Sequence, residues 1–275
     1  MDAESRADYR QLEVAPILTR ISTLQSNRHY RDQHNLFFIE GVRNFVGAMD
    51  QGFVIDTLLY SEKLLTSPIV RKFVRRLKRA GVPFARVSPE QFRTISRAEH
   101  ASGIGVILHQ RIHRLERVKP GDFICWTVLS HVRSPGNFGT LMRTSAAIGA
   151  AGFILLGDQI DPYDPRVIRA TMGSIFKQAI VRTTVNQFRE WIQRHGLQVV
   201  GASPDGPVDY DQVRYARPTM LLLGEERLGL PEELRSLCQS IVRIPMAAGM
   251  DSLNLGVAGG LLLYEVFRSS ARNRG

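Results

Sequence analysis

Short apolar runs alternate along the chain with stretches whose apolar positions recur every three to four residues, which is the pattern of an α/β protein. After a loosely helical, basic segment from Tyr9 to about Gln33, strands are expected at Leu36–Glu40, Val54–Tyr60, Phe84–Val87 and Gly105–His109. Helices are expected between them at Val42–Met49, Pro68–Ala80 and Pro89–Arg97. These elements predict a small α/β sandwich of roughly 75 residues. The next stretch, Gln110 to Gly121, is charged, lacks a clean period and ends in Pro-Gly, so a boundary is placed there. The expected organisation is therefore residues 1–110, a linker at 111–121, and a second α/β domain over 122–275.

In that second part Phe123–Leu129, Gly152–Leu156 and Thr219–Leu223 are nearly continuous apolar runs, as expected of parallel strands covered on both faces. Three glycine-bearing segments follow strands of this kind. In the first, Pro135 and Gly136 break the strand, Asn137 is a candidate helix cap, and Arg143 falls almost two turns into the helix. In the second, Gly224 allows a turn and Glu225 and Glu226 place carboxylates in a loop at the sheet edge. The third runs from Ile241 to Phe267. Pro245 stops its strand, Gly249 frees the loop, Asp251 and Ser252 offer N-cap chemistry, and Gly256, Gly259 and Gly260 sit in the first turns of a helix. Each helical glycine costs about 1 kcal/mol relative to alanine, so something approaches that backbone closely. A tightly packed, capped core helix and a ligand site at the helix start, with Ser252 and Asn254 beside free amides, are both consistent with this.

Composition narrows the choices. At 275 residues and 44% hydrophobic, the chain can bury one large core or two ordinary ones, and its length favours two domains. No apolar stretch approaches the roughly 18 residues of a membrane span, and the opening residues lack a secretory h-region, so a cytoplasmic protein is expected. Cys125 and Cys238 are read as buried thiols. His109 and His113 have HxxxH spacing but no third ligand, so no metal is expected. Net charge is +10 with a pI near 10.1, which points to an anionic partner such as nucleic acid. Residues 1–118 hold 19 Lys+Arg against 12 Asp+Glu, so most of the excess lies in the first domain. There the helix IVRKFVRRLKRA carries six cations and no acid, which suits either a solvated face or RNA phosphates.

Asn137, Gly139, Arg143 and Gly149 resemble the NxGxxxRxAxxxG signature of the SpoU (TrmH) family of RNA ribose methyltransferases, a branch of the SPOUT superfamily. Ser145 stands where that family usually has alanine, and Ser134 where an aspartate is common. Arg169, Ala170, Gly173 and Phe176 resemble its RASxGxxF segment, with Thr171 for the serine. LGEERLGL resembles the second signature through Glu226, with Glu225 and Arg227 as departures, and IPM, SLN and LLLYE resemble the third. FFIEGVRNFVGAMDQG resembles the N-terminal substrate-binding domain of many members.

The resemblance implies a SPOUT-type α/β domain with a parallel sheet and trefoil knot, preceded by a small α/β RNA-binding domain. It implies a homodimer that transfers a methyl group from S-adenosyl-L-methionine to a ribose 2′-hydroxyl of RNA, with rRNA favoured over tRNA by the extra N-terminal domain. Leu223, Gly224, Ile244 and Leu253 would bind the cofactor. Arg143 would stabilise the developing alkoxide, with Asn137, Glu226, Ser252 and Asn254 orienting it and the RNA. A non-catalytic RNA-binding or ribosome-assembly protein is the competing reading, disfavoured by the presence of Arg143 and Asn254. An NAD-dependent enzyme is disfavoured because Gly136 and Gly139 do not make GxGxxG, although Asp158 would suit one.

Overall fold

The computed structural model describes residues 10–121, 123–225 and 229–272. The chain folds into two compact units, one running to Arg111 and including Tyr163–Pro165, the other holding Ile112–Pro162 and the chain from Arg166 on.

The first unit contains α1 (Val14–Ser26), α2 (Arg28–His34), β1 (Leu36–Glu40), α3 (Val42–Asp50), β2 (Ile55–Tyr60), α4 (Pro68–Arg79), β3 (Phe84–Arg86), α5 (Pro89–Ile95) and β4 (Ile104–His109). Its sheet has the order β1-β4-β2-β3, with β4 antiparallel to both neighbours and β3 parallel to β2. Local chemistry fixes the helix starts. Ser67 caps α4 ahead of Pro68, and Ser88 with Gln91 forms a reciprocal capping box on α5. Ile17, Ile21 and Leu24 of α1 pack with Phe38, Leu59, Phe92 and Ile107. Tyr163, distant in sequence, belongs to this unit: its ring lies 4.3 Å from that of Phe37, and its hydroxyl accepts from the Arg111 amide at 2.8 Å.

The second unit contains β5 (His113–Arg114), β6 (Cys125–Leu129), α6 (Pro135–Ala147), β7 (Gly152–Leu156), α7 (Pro165–Thr171), β8 (Ala179–Thr183), α8 (Val185–His195), β9 (Gln198–Ala202), β10 (Val208–Asp209), β11 (Thr219–Leu223), α9 (Glu232–Arg235), β12 (Ser240–Arg243) and α10 (Leu255–Arg272). Eight strands form one sheet in the order β10-β12-β9-β11-β6-β7-β8-β5, parallel throughout. This agrees with the expected parallel α/β architecture, preceded in the chain by a smaller α/β unit. The central strands β6, β7 and β11 are buried along their whole length, which is why they read as nearly continuous apolar runs. Within the stretch read as a linker, β5 pairs with β8, and Leu115 on a following 3-10 turn is buried in the core with Val181 and Trp191. No helix among the described residues is long and apolar enough to cross a membrane.

Candidate functional site

Leu129, Leu223, Ala202 and Val242 stand in one rank across β6, β11, β9 and β12, so four parallel strands end together at their carboxyl edge. That edge is where open parallel sheets bind ligands, because the strands stop and the loops diverge. The loops after β9, β11 and β12, roofed by the start of α10, enclose a cleft of about 430 Å³, within the few-hundred-Å³ range of small-molecule sites. Its walls include Leu223, Leu230, Ile244 and Leu262, and its polar groups include Asp205, Glu225, Asp251 and Ser252.

The loops are held tightly. Glu225 and Gly229 exchange backbone hydrogen bonds at 3.0 Å each, and a Cβ on Gly224 would lie 2.3 Å from the Gly229 carbonyl, so no larger residue fits there. The Glu225 carboxylate meets the Arg133 guanidinium. On the β9 side Ser203 donates to Asp205, and Arg235 donates to Asp205 at 3.1 Å and to Ser203 at 3.3 Å. The Ser203 hydroxyl, with Arg235 second, holds the Asp205 carboxyl below the usual carboxylate range, so this group is an anion at neutral pH.

The second feature is the seam of α6 and α10. Ser134, not Asn137, caps α6, accepting from the Asn137 amide at 3.4 Å, and Pro135 takes the first helical position. The Asn137 side chain instead accepts a 2.9 Å hydrogen bond from Asn254 Nδ2. Asn254 Oδ1 in turn accepts from the amides of Gly256 and Val257, so Asn254 does the capping that Asp251 and Ser252 were expected to do. The α10 glycines admit α6: a Cβ on Gly259 would lie 2.3 Å from Leu141 Cδ2, and one on Gly256 3.3 Å from Thr140. Close packing therefore accounts for Gly256 and Gly259.

Of the residues singled out by sequence, Leu223, Gly224, Ile244, Leu253 and Ser252 line the cleft together. Asn137 and Asn254 are not in the lining; they join each other at the α6–α10 seam, Asn254 standing in sequence between the lining residues Leu253 and Leu255. Arg143 lies on α6, exposed, outside the cleft lining, and makes no hydrogen bond or ion pair among the described residues. Glu226 lies outside the described residues. Sequence reasoning passed over Ser203, Asp205, Arg235 and Arg133. Ser-Pro-Asp after a buried run was the only local signal for the first two, and nothing local marks the arginines. The departure at Ser145 has a structural partner, since its buried hydroxyl donates to Gln178 Oε1 at 2.7 Å. Among the described residues no group of three or more His, Cys, Asp or Glu could hold a metal ion.

Comparison with known proteins gives a consistent picture. The SpoU rRNA Methylase family model matches residues 126–264, and the MRM3-like substrate binding domain matches residues 16–105. A 23S rRNA (uridine(2479)-2′-O)-methyltransferase of Streptomyces viridochromogenes is 29% identical over 258 residues, covering 91% of this chain and 89% of that one. The crystal structure of an AdoMet-bound rRNA methyltransferase from Sinorhizobium meliloti superposes with a TM-score of 0.86 at 35% identity, over 94% of this chain and 97% of that one. The SpoU methyltransferase AviRb from Streptomyces viridochromogenes, in complex with AdoMet, superposes with a TM-score of 0.83 at 27% identity, over 93% and 98%.

Proposed function

This chain belongs to the SpoU rRNA methylase family and is an S-adenosyl-L-methionine-dependent RNA 2′-O-ribose methyltransferase, and we propose that its substrate is ribosomal RNA and that the cleft at the strand ends holds the methyl donor. The observation that carries the site assignment is the gathering of Leu223, Gly224, Ile244 and Leu253 around one cleft at the carboxyl edge of a parallel sheet. The residues fit the donor: leucine and isoleucine walls suit a purine and the methylene groups of its side chain, and the carboxylates of Asp205 and Asp251 complement its sulfonium cation. S-adenosyl-L-methionine supplies, when bound, a methyl group on positively charged sulfur, already activated for transfer.

The protein must hold the ribose hydroxyl in line and ease the loss of its proton. Arg143 is assigned to stabilise the oxygen as negative charge develops on it. A guanidinium donates hydrogen bonds and does not take up protons, so an RNA phosphate held by the same side chain accepts the proton. The Asn137–Asn254 pair fixes the helix seam beside that position, and Ser252 and Glu226 are assigned to orient the RNA.

Arg143 does not line the cleft of its own chain, and α10 exposes Val257, Leu261, Tyr264 and Phe267 along one face. Both features support a homodimer in which Arg143 of one protomer serves the cleft of its partner. The family resemblance further supports a trefoil knot in the second unit; a crystallographic backbone trace that pulls straight from its two ends would contradict it. The first unit is assigned to RNA binding, and the protein to the cytoplasm, where recovery in a membrane fraction would contradict it. Ribose-methylation mapping of rRNA and tRNA, with and without the protein, tests the substrate. A new 2′-O-methyl nucleotide in rRNA is expected; one confined to tRNA would overturn the rRNA assignment.

A further inference from the structure

Helix α4 separates its cations into two groups. Arg71 donates to the carbonyls of Leu65 at 2.7 Å and Glu62 at 3.3 Å, anchoring the helix start. Lys78 folds inward, donating to the Tyr60 hydroxyl at 3.2 Å and lying 4.3 Å above the Phe84 ring. Arg76 rests 4.8 Å from the Phe73 ring with its head exposed. Lys72, Arg75 and Arg79 are exposed and make no hydrogen bond or ion pair among the described residues. At 100° per residue these three and Arg76 fall within one narrow face, and the line from Lys72 to Arg79 is about 10 Å long.

A helix surface that served only solubility would interleave glutamates, because like charges three and four apart destabilise a helix by about 0.2–0.5 kcal/mol per pair. The twelve residues of α4 contain no acid. The helix dipole offsets this only in the last turn, for Arg76 and Arg79, and leaves Lys72 and Arg75 uncompensated. Elsewhere in the same unit, exposed arginines are answered by carboxylates, as in Arg86–Glu62 and Arg93–Glu90.

We propose that the Lys72–Arg75–Arg79 face of α4 is the phosphate-contact surface of the first unit, docking the sugar-phosphate backbone of the substrate RNA. The contact reads charge and not sequence, because long flexible cations on one line meet successive phosphates without touching base edges. This inference rests on the RNA methyltransferase reading and names a binding surface within it.

The test uses the full chain and an rRNA transcript, with affinity measured by fluorescence anisotropy across a salt series. K72Q/R75Q/R79Q is compared with the charge-matched control R86Q/R93Q/R194Q, and donor binding is measured on both. The first variant is expected to lower the slope of log affinity against log salt by up to about 2–3, at roughly 0.7–0.9 per lost phosphate contact. The control slope and donor binding should stay near wild type. Equal slopes for wild type and the first variant, with RNA still bound, would overturn the proposal while leaving the methyltransferase reading intact. Failure of the wild-type protein to bind any rRNA or tRNA transcript would overturn both.

Discussion

Asn254 and Arg143 show how differently two polar residues of the proposed site are used. Asn254 is committed: its carbonyl oxygen caps α10 and its amide reaches Asn137, so its position is set by three hydrogen bonds. Arg143 makes no hydrogen bond or ion pair among the described residues, which leaves its donors for the role proposed for it. Arg143→Ala is therefore expected to lower turnover by about 100- to 1000-fold, the loss typical of one donor to a developing oxyanion. Donor affinity by calorimetry should be unchanged. Normal turnover in that variant would remove Arg143 from the mechanism. The two thiols stand apart from this chemistry. Burial pushes Cys125 up to about 12 and Cys238 up to about 11, so neither is a thiolate at neutral pH.

At the scale of elements, the strands of the second unit are legible in sequence where burial is complete. β7 and β11 are five-residue apolar runs between glycines, prolines and polar loops, and their bounds can be read directly. β5, β10 and α9 are not legible, because two- and four-residue elements carry no period. The helical glycines are legible as a demand for close approach but not as to what approaches. The structure supplies the partner: α6 lies against α10 at Gly256 and Gly259, and α6 is itself approached at Gly139, where a Cβ would lie 2.3 Å from Ala170 Cβ and 2.9 Å from its carbonyl carbon. Backbone cannot give way as a side-chain tip can. Gly139→Ala should cost about 1–3 kcal/mol despite the better helix propensity of alanine. Urea unfolding checks this, and an unchanged or raised midpoint would show that the α6–α7 contact is looser than described.

For the whole molecule, no periodicity brings Leu223, Ile244 and Leu253 to one place. Leu223 ends β11, whereas Ile244 and Leu253 lie at the two ends of the loop between β12 and α10, and only the strand order β12-β9-β11-β6 brings that loop beside the end of β11. The signatures suggested this gathering through resemblance, whereas residues outside them, Arg133 and Arg235, became visible only once the chain was folded. The shared-site dimer has its own test in mixing two inactive proteins. One is Arg143→Ala. The other is Ala258→Trp, which fills the cleft that Ala258 lines. If each cleft is served by the partner's arginine, random pairing should restore roughly a quarter of wild-type turnover. A mixture that stays inactive would mean that Arg143 serves its own cleft or none.

Calorimetric titration of S-adenosyl-L-methionine into the purified protein and into folded Ala258→Trp bears most directly on the cleft. Saturable binding of one donor per chain by the wild type, abolished by Ala258→Trp, is the predicted result. No binding to the wild type with or without RNA, or equal affinity in both proteins, would contradict the assignment of the donor to the ends of β9, β11 and β12.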